Sequence, residues 1–171
     1  MRIQFFVPGQ ARPAGSKSAF KNPKTGHVIV THANPATKQW MDTVRFFALK
    51  MANRMIPTKE PILLKLIFLR ERPTGHYGSG RNAGVLKLSA PSHFTTMPDL
   101  TKLIRAVEDS LTGIIFKDDS QVIMQSTMKR YCRGEEKPGV QIIIETINAT
   151  KGVYDDTERE IKGQGTGQLF R

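Results

Sequence analysis

Asp99, Asp118 and Asp119 are carboxylates in a chain that carries 26 Lys and Arg against 15 Asp and Glu, a net charge of +11. Acidic side chains on such a background suggest a divalent cation held against a polyanion, and hence a phosphodiester substrate. Asp99 follows Pro98 at the start of an amphipathic segment, and the Asp118-Asp119 pair lies just past its end. Hard oxygen ligands suit Mg²⁺ or Mn²⁺, which take only one or two protein carboxylates and keep several waters. Asp99 with Asp119 would suffice. Neighbours in extended chain point to opposite sides, so Asp118 would assist. Lys102 or Arg105 could engage the scissile phosphate or the charge developing on it. The same residue types are ordinary capping and turn chemistry, so spacing alone leaves both readings open.

The elements that must position these groups are legible as periodicities. Leu100, Leu103, Ile104, Val107 and Leu111 form the stripe of a helix packed on a sheet. Thr101, Arg105 and Glu108 share another of its faces. Pro98 favours a helix start, Asp99 is expected in the first turn, where the helix dipole stabilises a carboxylate, and Gly113 is the natural stop. Arg2–Pro8 reads as an opening strand, and Val28–Thr31 as a short strand after the basic loop Gln10–His27. Asn34-Pro35 starts a helix whose stripe runs from Trp40 to Met55, closed by Pro57. Pro61–Leu69 is apolar enough for a strand buried on both faces. Arg70–Gly84 is too long for a tight turn, and suits either a nucleic-acid arm or plain disorder. Gln121–Arg133 and Gly139–Ile147 read as strands, joined as a hairpin through Glu135–Gly139. This order predicts a small α+β domain over residues 1–148, with a mixed sheet against two main helices and a polar, flexible tail over 149–171.

Composition narrows the partners. A sequence pI near 10.0 favours nucleic acid, with Arg12, Lys17, Lys21, Arg70, Arg72, Arg81, Lys102 and Arg105 as candidate DNA contacts. No apolar run is long enough to span a bilayer, and no secretory signal is visible. The single Cys132 fits a reducing cytoplasm. His27, His32 and His76 show no metal-ligand spacing, and His93 reads as a surface loop histidine. No phosphate-binding G-x-x-x-x-G-K loop occurs, so no nucleotide cofactor is expected.

Pro98-Asp-Leu, a helix ending Asp109-Ser-Leu-Thr-Gly, and Lys117-Asp-Asp-Ser-Gln121 together resemble the RusA family of Holliday-junction resolvases, phage- and prophage-associated endonucleases. Val7-Pro-Gly with its basic loop adds support, and the strand order from Arg2 to Ile147 is compatible. The resemblance implies a small Mg²⁺-dependent homodimer that cuts four-way DNA junctions by paired symmetric nicks in DNA recombination and repair. It also implies a metal pocket built from an Asp-x-Asp at the helix start and the second Asp of an Asp-Asp pair. Asp99 and Asp119 match; Asp118 and Asp109 match the wider motif, Asp109 as a structural residue. Thr101 stands where the second acidic residue is expected, and Arg105 where one branch has lysine, which keeps the charge but not the shape. A neutral hydroxyl at 101 would weaken metal binding, pass the role to Asp118 or Glu108, or leave a non-catalytic protein that binds branched DNA or structured RNA. An RNA-directed nuclease is a third possibility. Glu108 lies two turns along the helix, about 10 Å at 1.5 Å per residue, which makes direct replacement look strained.

Overall fold

The computed structural model describes residues 1–15, 17–21, 23, 25–32, 34–52 and 57–147. The expected helix end at Met55 and the tail 149–171 lie outside the described residues. In chain order the elements are β1 (Arg2–Pro8), β2 (Lys17–Lys21), β3 (Val28–His32), α1 (Pro35–Ala52), β4 (Ile62–Arg70), α2 (Leu100–Leu111), β5 (Val122–Tyr131) and β6 (Gly139–Thr146). Short 3-10 turns cover Thr74–His76, Gly80–Asn82 and Asp119–Gln121. The basic loop after β1 is a separate two-stranded hairpin of β2 and β3. Asn34 starts α1 by accepting the Ala36 amide at 2.9 Å.

The main sheet is mixed, in the order β1-β6-β4-β5, which with α1 and α2 gives the expected α+β arrangement. β4 pairs parallel with β5 and antiparallel with β6, which in turn pairs antiparallel with β1. The expected β5–β6 hairpin does not form, because β4 lies between the two strands. A helical crossover returns α2 to the sheet, and β5 therefore adds parallel to β4. The connection to β6 then passes over the end of β4, where Cys132 N donates to Arg70 O at 2.8 Å and Gly9 N to Pro138 O at 2.9 Å.

α1 and α2 bury one face of this sheet. Ile62, Leu64, Leu66 and Phe68 of β4 are buried against Leu103, Val107 and Leu111 of α2 and the Trp40–Val44 stripe of α1, in one core. Burying each such side chain contributes about 1.5–3 kcal/mol. The opposite face of β4 is only half covered: Leu63, Lys65 and Ile67 are half-buried, and Lys65 reaches Glu145 at 3.7 Å. The expectation of a strand buried on both faces therefore holds for one face only. A continuous apolar run records total burial, not the number of covering layers. Gly139 is required by close approach: a Cβ there would lie 2.3 Å from Val7 O.

Strand directions set up the site. β1, β4 and β5 run the same way, so their C-terminal ends share one end of the sheet, the upper end. α2, as the crossover between β4 and β5, runs against them and starts there.

Candidate nuclease site

Asp99 is the N-cap of α2 rather than a first-turn residue, and its carboxylate makes no capping hydrogen bond. It pairs instead with Lys102 Nζ at 2.8 Å, both groups being exposed. The bond and charge of Lys102, with a smaller contribution from Lys129, hold the Asp99 carboxyl below its usual value. Gly113, at φ +79°, ends the helix in the left-handed region that favours glycine.

The segment that delivers Asp99 is clamped by two cations from neighbouring strands. Arg70 of β4 lies 4.3 Å over the Phe94 ring and donates to Thr96 Oγ1 at 3.1 Å and Met97 O at 2.7 Å. Lys129 of β5 approaches the same ring at 5.0 Å and donates to Thr96 O at 2.9 Å and Pro98 O at 3.0 Å. Arg72 lies over Tyr131 and donates to Cys132 O at 3.0 Å and Pro91 O at 2.9 Å. Arg70 and Arg72, read from sequence as DNA contacts, thus have their donors turned inward onto the 91–98 segment. Arg81 and Lys102 are exposed, as is Arg105. Arg12 lines a 250 Å³ cleft with Gly9, Gln10, Ala36, Gln39 and Trp40, at the N-terminal end of α1. Ala14 N donates to Lys102 O at 2.8 Å, so the base of the β2–β3 hairpin lies against the first turn of α2. Lys17 and Lys21 fall in β2, their side chains outside the description. The 70–84 excursion is organised by bridges between Tyr77 and Leu86 and between Gly78 and Ala83.

Asp118 and Asp119 lie at the other end. Asp118 caps the 3-10 turn before β5: its Oδ1 accepts the Ser120 amide at 2.9 Å, while Gln121 Oε1 accepts the Asp118 amide at 2.9 Å. The bonds from Ser120 hold its carboxyl below the usual value. Gln121 Nε2 ties this turn to Thr58 O and Glu60 O at 3.1 and 3.0 Å.

Asp119 is close enough for its charge to act on Glu108. Burial first, and then the charge of Asp119, push the Glu108 carboxyl above its ordinary value; Gln125 Nε2 donates to Glu108 Oε1, and Asp109 adds a smaller upward push. Seven strand steps separate Val122 from Lys129, about 23 Å at 3.3 Å per residue. Asp99, beside Lys129, and Asp119, beside Glu108, therefore stand toward opposite ends of α2. Among the described residues no group of three or more His, Cys, Asp or Glu side chains is arranged to hold a metal ion. The donor types suit a hard cation, but a single chain does not bring Asp99, Asp118 and Asp119 into one shell. Glu108, set aside on helix spacing, is the carboxylate that Asp119 meets, because β5 runs against α2. The contributions of Gln125, Lys129 and Phe94 were missed. Each depends on which strand lies beside α2, which no periodicity states. His93 is exposed, and burial raises the Cys132 thiol above its usual value.

Residues 6–145 match the family described as Endodeoxyribonuclease RusA. The chain belongs to the RusA endodeoxyribonuclease family. RusA proteins are hydrolases that resolve Holliday junctions, and act on branched DNA. A shorter likeness joins the chain to "Uncharacterized protein YqaN" of Bacillus subtilis (strain 168), 38% identical over 55 residues. That stretch covers 32% of this chain and 37% of the relative, so the chain matches little more than a third of that relative's length. Among the described residues no helix is long and apolar enough to cross a membrane.

Proposed function

We propose that this RusA chain is a structure-selective DNA endonuclease that cuts four-way junctions by paired nicks, acts as a homodimer and requires Mg²⁺, with Mn²⁺ as a substitute. The family match over the sheet and α2 carries this reading. The acidic positions at the two ends of α2, set in a strongly basic chain, support it. A bound cation would polarise the phosphoryl oxygen and activate a water. The chain's own groups have separable tasks. Asp99 and Asp119 supply hard oxygen donors, with Glu108 the nearest further carboxylate to Asp119 and Asp118 fixing the turn that presents it. Arg105, one turn beyond Thr101, and Lys102 engage phosphate. Arg12, Lys17, Lys21 and Arg81 track the DNA backbone from the upper end. Cytoplasmic action accords with that substrate.

The test is a labelled four-way junction incubated with the protein and Mg²⁺. Nicks at symmetric positions are expected. Asp119→Asn should lower the nicking rate on the order of 100-fold or more, while junction affinity, measured in EDTA, changes less than about twofold. Binding without nicks by the unaltered protein would instead identify a non-catalytic branched-DNA module. Loss of affinity together with activity, in a variant that remains folded, would remove Asp119 from the role assigned to it.

A further inference from the structure

β5 is the outermost strand of the main sheet, with β4 on one side and no strand on the other. Its upper limit is closed by the chain itself, where Tyr131 N donates to Ser92 O at 3.0 Å. Below that point it offers a row of backbone donors and acceptors from Val122 to Arg130, a length that natural proteins seldom leave unblocked. The strand also carries apolar side chains on the face away from the helices. Met128 is 45% exposed there, and Met124, two residues from Ser126 on the other side, is half-buried. Parallel pairing with β4 fixes these faces: Met124, Ser126 and Met128 lie with Leu63, Lys65 and Ile67, whereas Gln125 and Lys129 lie on the helix side with Leu64 and Phe68.

An antiparallel pairing of two copies of β5 must place residues of the same face opposite each other. Centring it on Ser126 satisfies that condition and puts Met124 of each copy against Met128 of the other. The same register sets the lower end of one β5 beside the upper end of the other. Asp119 and Glu108 of one copy then approach the Lys129-braced segment that carries Asp99 in the second. A two-fold axis through Ser126 generates two such places, as paired symmetric nicks require. The acidic lower end of each copy also meets the basic upper end of its neighbour.

We propose that β5 is the dimer interface, paired antiparallel about Ser126 with a second copy of this chain, and that the nuclease site is composite, with Asp119 from one copy and Asp99 from the other. This rests on the endonuclease reading above, and resolves the separation of the two carboxylates within a single chain.

Two experiments decide it. The first is co-expression of Asp99→Asn and Asp119→Asn chains, each inactive alone, with mixed dimers verified by native mass spectrometry. A composite site is intact once in every mixed dimer, so nicking should return to about a quarter of the wild-type site number under random pairing. Verified mixed dimers that do not nick, alongside an active wild type, overturn the composite site. A wild type that does not nick overturns the endonuclease reading instead, and leaves the interface to the second experiment. That experiment is sedimentation of the metal-free protein. Wild type should run as a dimer, Met124→Glu/Met128→Glu as a monomer with unchanged circular dichroism, and Met124→Glu/Met128→Lys as a dimer again, because unlike charges then face each other across the axis. A monomeric wild type, or a double-Glu variant that remains dimeric, overturns the interface. A misfolded double-Glu variant transfers the decision to the Glu/Lys chain mixed with wild type, which must exchange more weakly than wild type with itself.

Discussion

A carboxylate that is half-buried beside a second carboxylate is stabilised by protonation and penalised by ionisation. Glu108 is in this position, with burial and Asp119 both raising its carboxyl above the ordinary glutamate value. Because the folded value lies above the unfolded one, the stability linked to its proton is complete below the unfolded value and is lost as pH rises through the folded value. At neutral pH the ionised group therefore opposes folding. Glu108→Gln should raise the unfolding temperature in metal-free buffer at pH 7 by about 1–3 °C and leave it nearly unchanged near pH 4. A divalent cation that relieves the repulsion should stabilise the wild type more than the variant. Calorimetric scans with EDTA and with Mg²⁺ measure both. An equal cation-induced shift in the two proteins would show that Glu108 takes no part in binding it.

At the scale of the elements, α2 and the chain on either side were legible because a stripe at helical spacing, Pro98 and Gly113 each have a local cause. The order of the strands was not legible. Alternation along β5 and β6 states which side chains share a face, but it is equally consistent with the two strands adjacent or separated by β4. The turn-like Glu135–Gly139 was misleading for that reason: it is part of a connection over the end of β4, not a two-strand hairpin. The Glu108–Asp119 approach went unread for the same reason, since it follows from β5 running against α2. The connection has its own pin. Glu136 accepts from Arg130 through both carboxylate oxygens, at 2.6 and 2.8 Å, and from Arg133 N at 2.8 Å. The Arg130 bonds bring its carboxyl down to about 2. A depressed carboxyl contributes stability that is present above the unfolded value and lost as pH falls through the folded one. Unfolding temperature should therefore decline from just above pH 4 towards pH 2. Glu136→Gln should decline less steeply over that window, with solvent screening at this partly exposed pair keeping the difference small. Identical acid limbs in the two proteins would show that the pin contributes nothing to stability.

Across the whole molecule the basic residues are not equivalent, although composition counts them alike. The C-terminal ends of β1, β4 and β5, the N-terminal ends of α1 and α2 and the β2–β3 hairpin converge at the upper end, so the positive field is concentrated there. Open sheets commonly bind ligands outside the C-terminal ends of their strands. Within that end, Arg70 and Arg72 donate to backbone and to Thr96 of their own chain, leaving Arg12, Lys17, Lys21, Arg81, Lys102 and Arg105 from the set read as DNA contacts. Each phosphate neutralised releases counterions, and the logarithm of affinity falls with the logarithm of salt by about 0.9 per contact. Six contacts give a slope of about −5 and a loss of about 10³ in affinity between 50 and 200 mM salt, whereas eight would give about −7 and about 10⁴. Fluorescence anisotropy of a labelled junction in EDTA measures the slope for each protomer's share of the contacts. Arg81→Met should flatten it by about one unit. Arg70→Met should leave it unchanged, because that guanidinium already holds the loop that carries Asp99. An equal flattening by both substitutions would return Arg70 to the DNA.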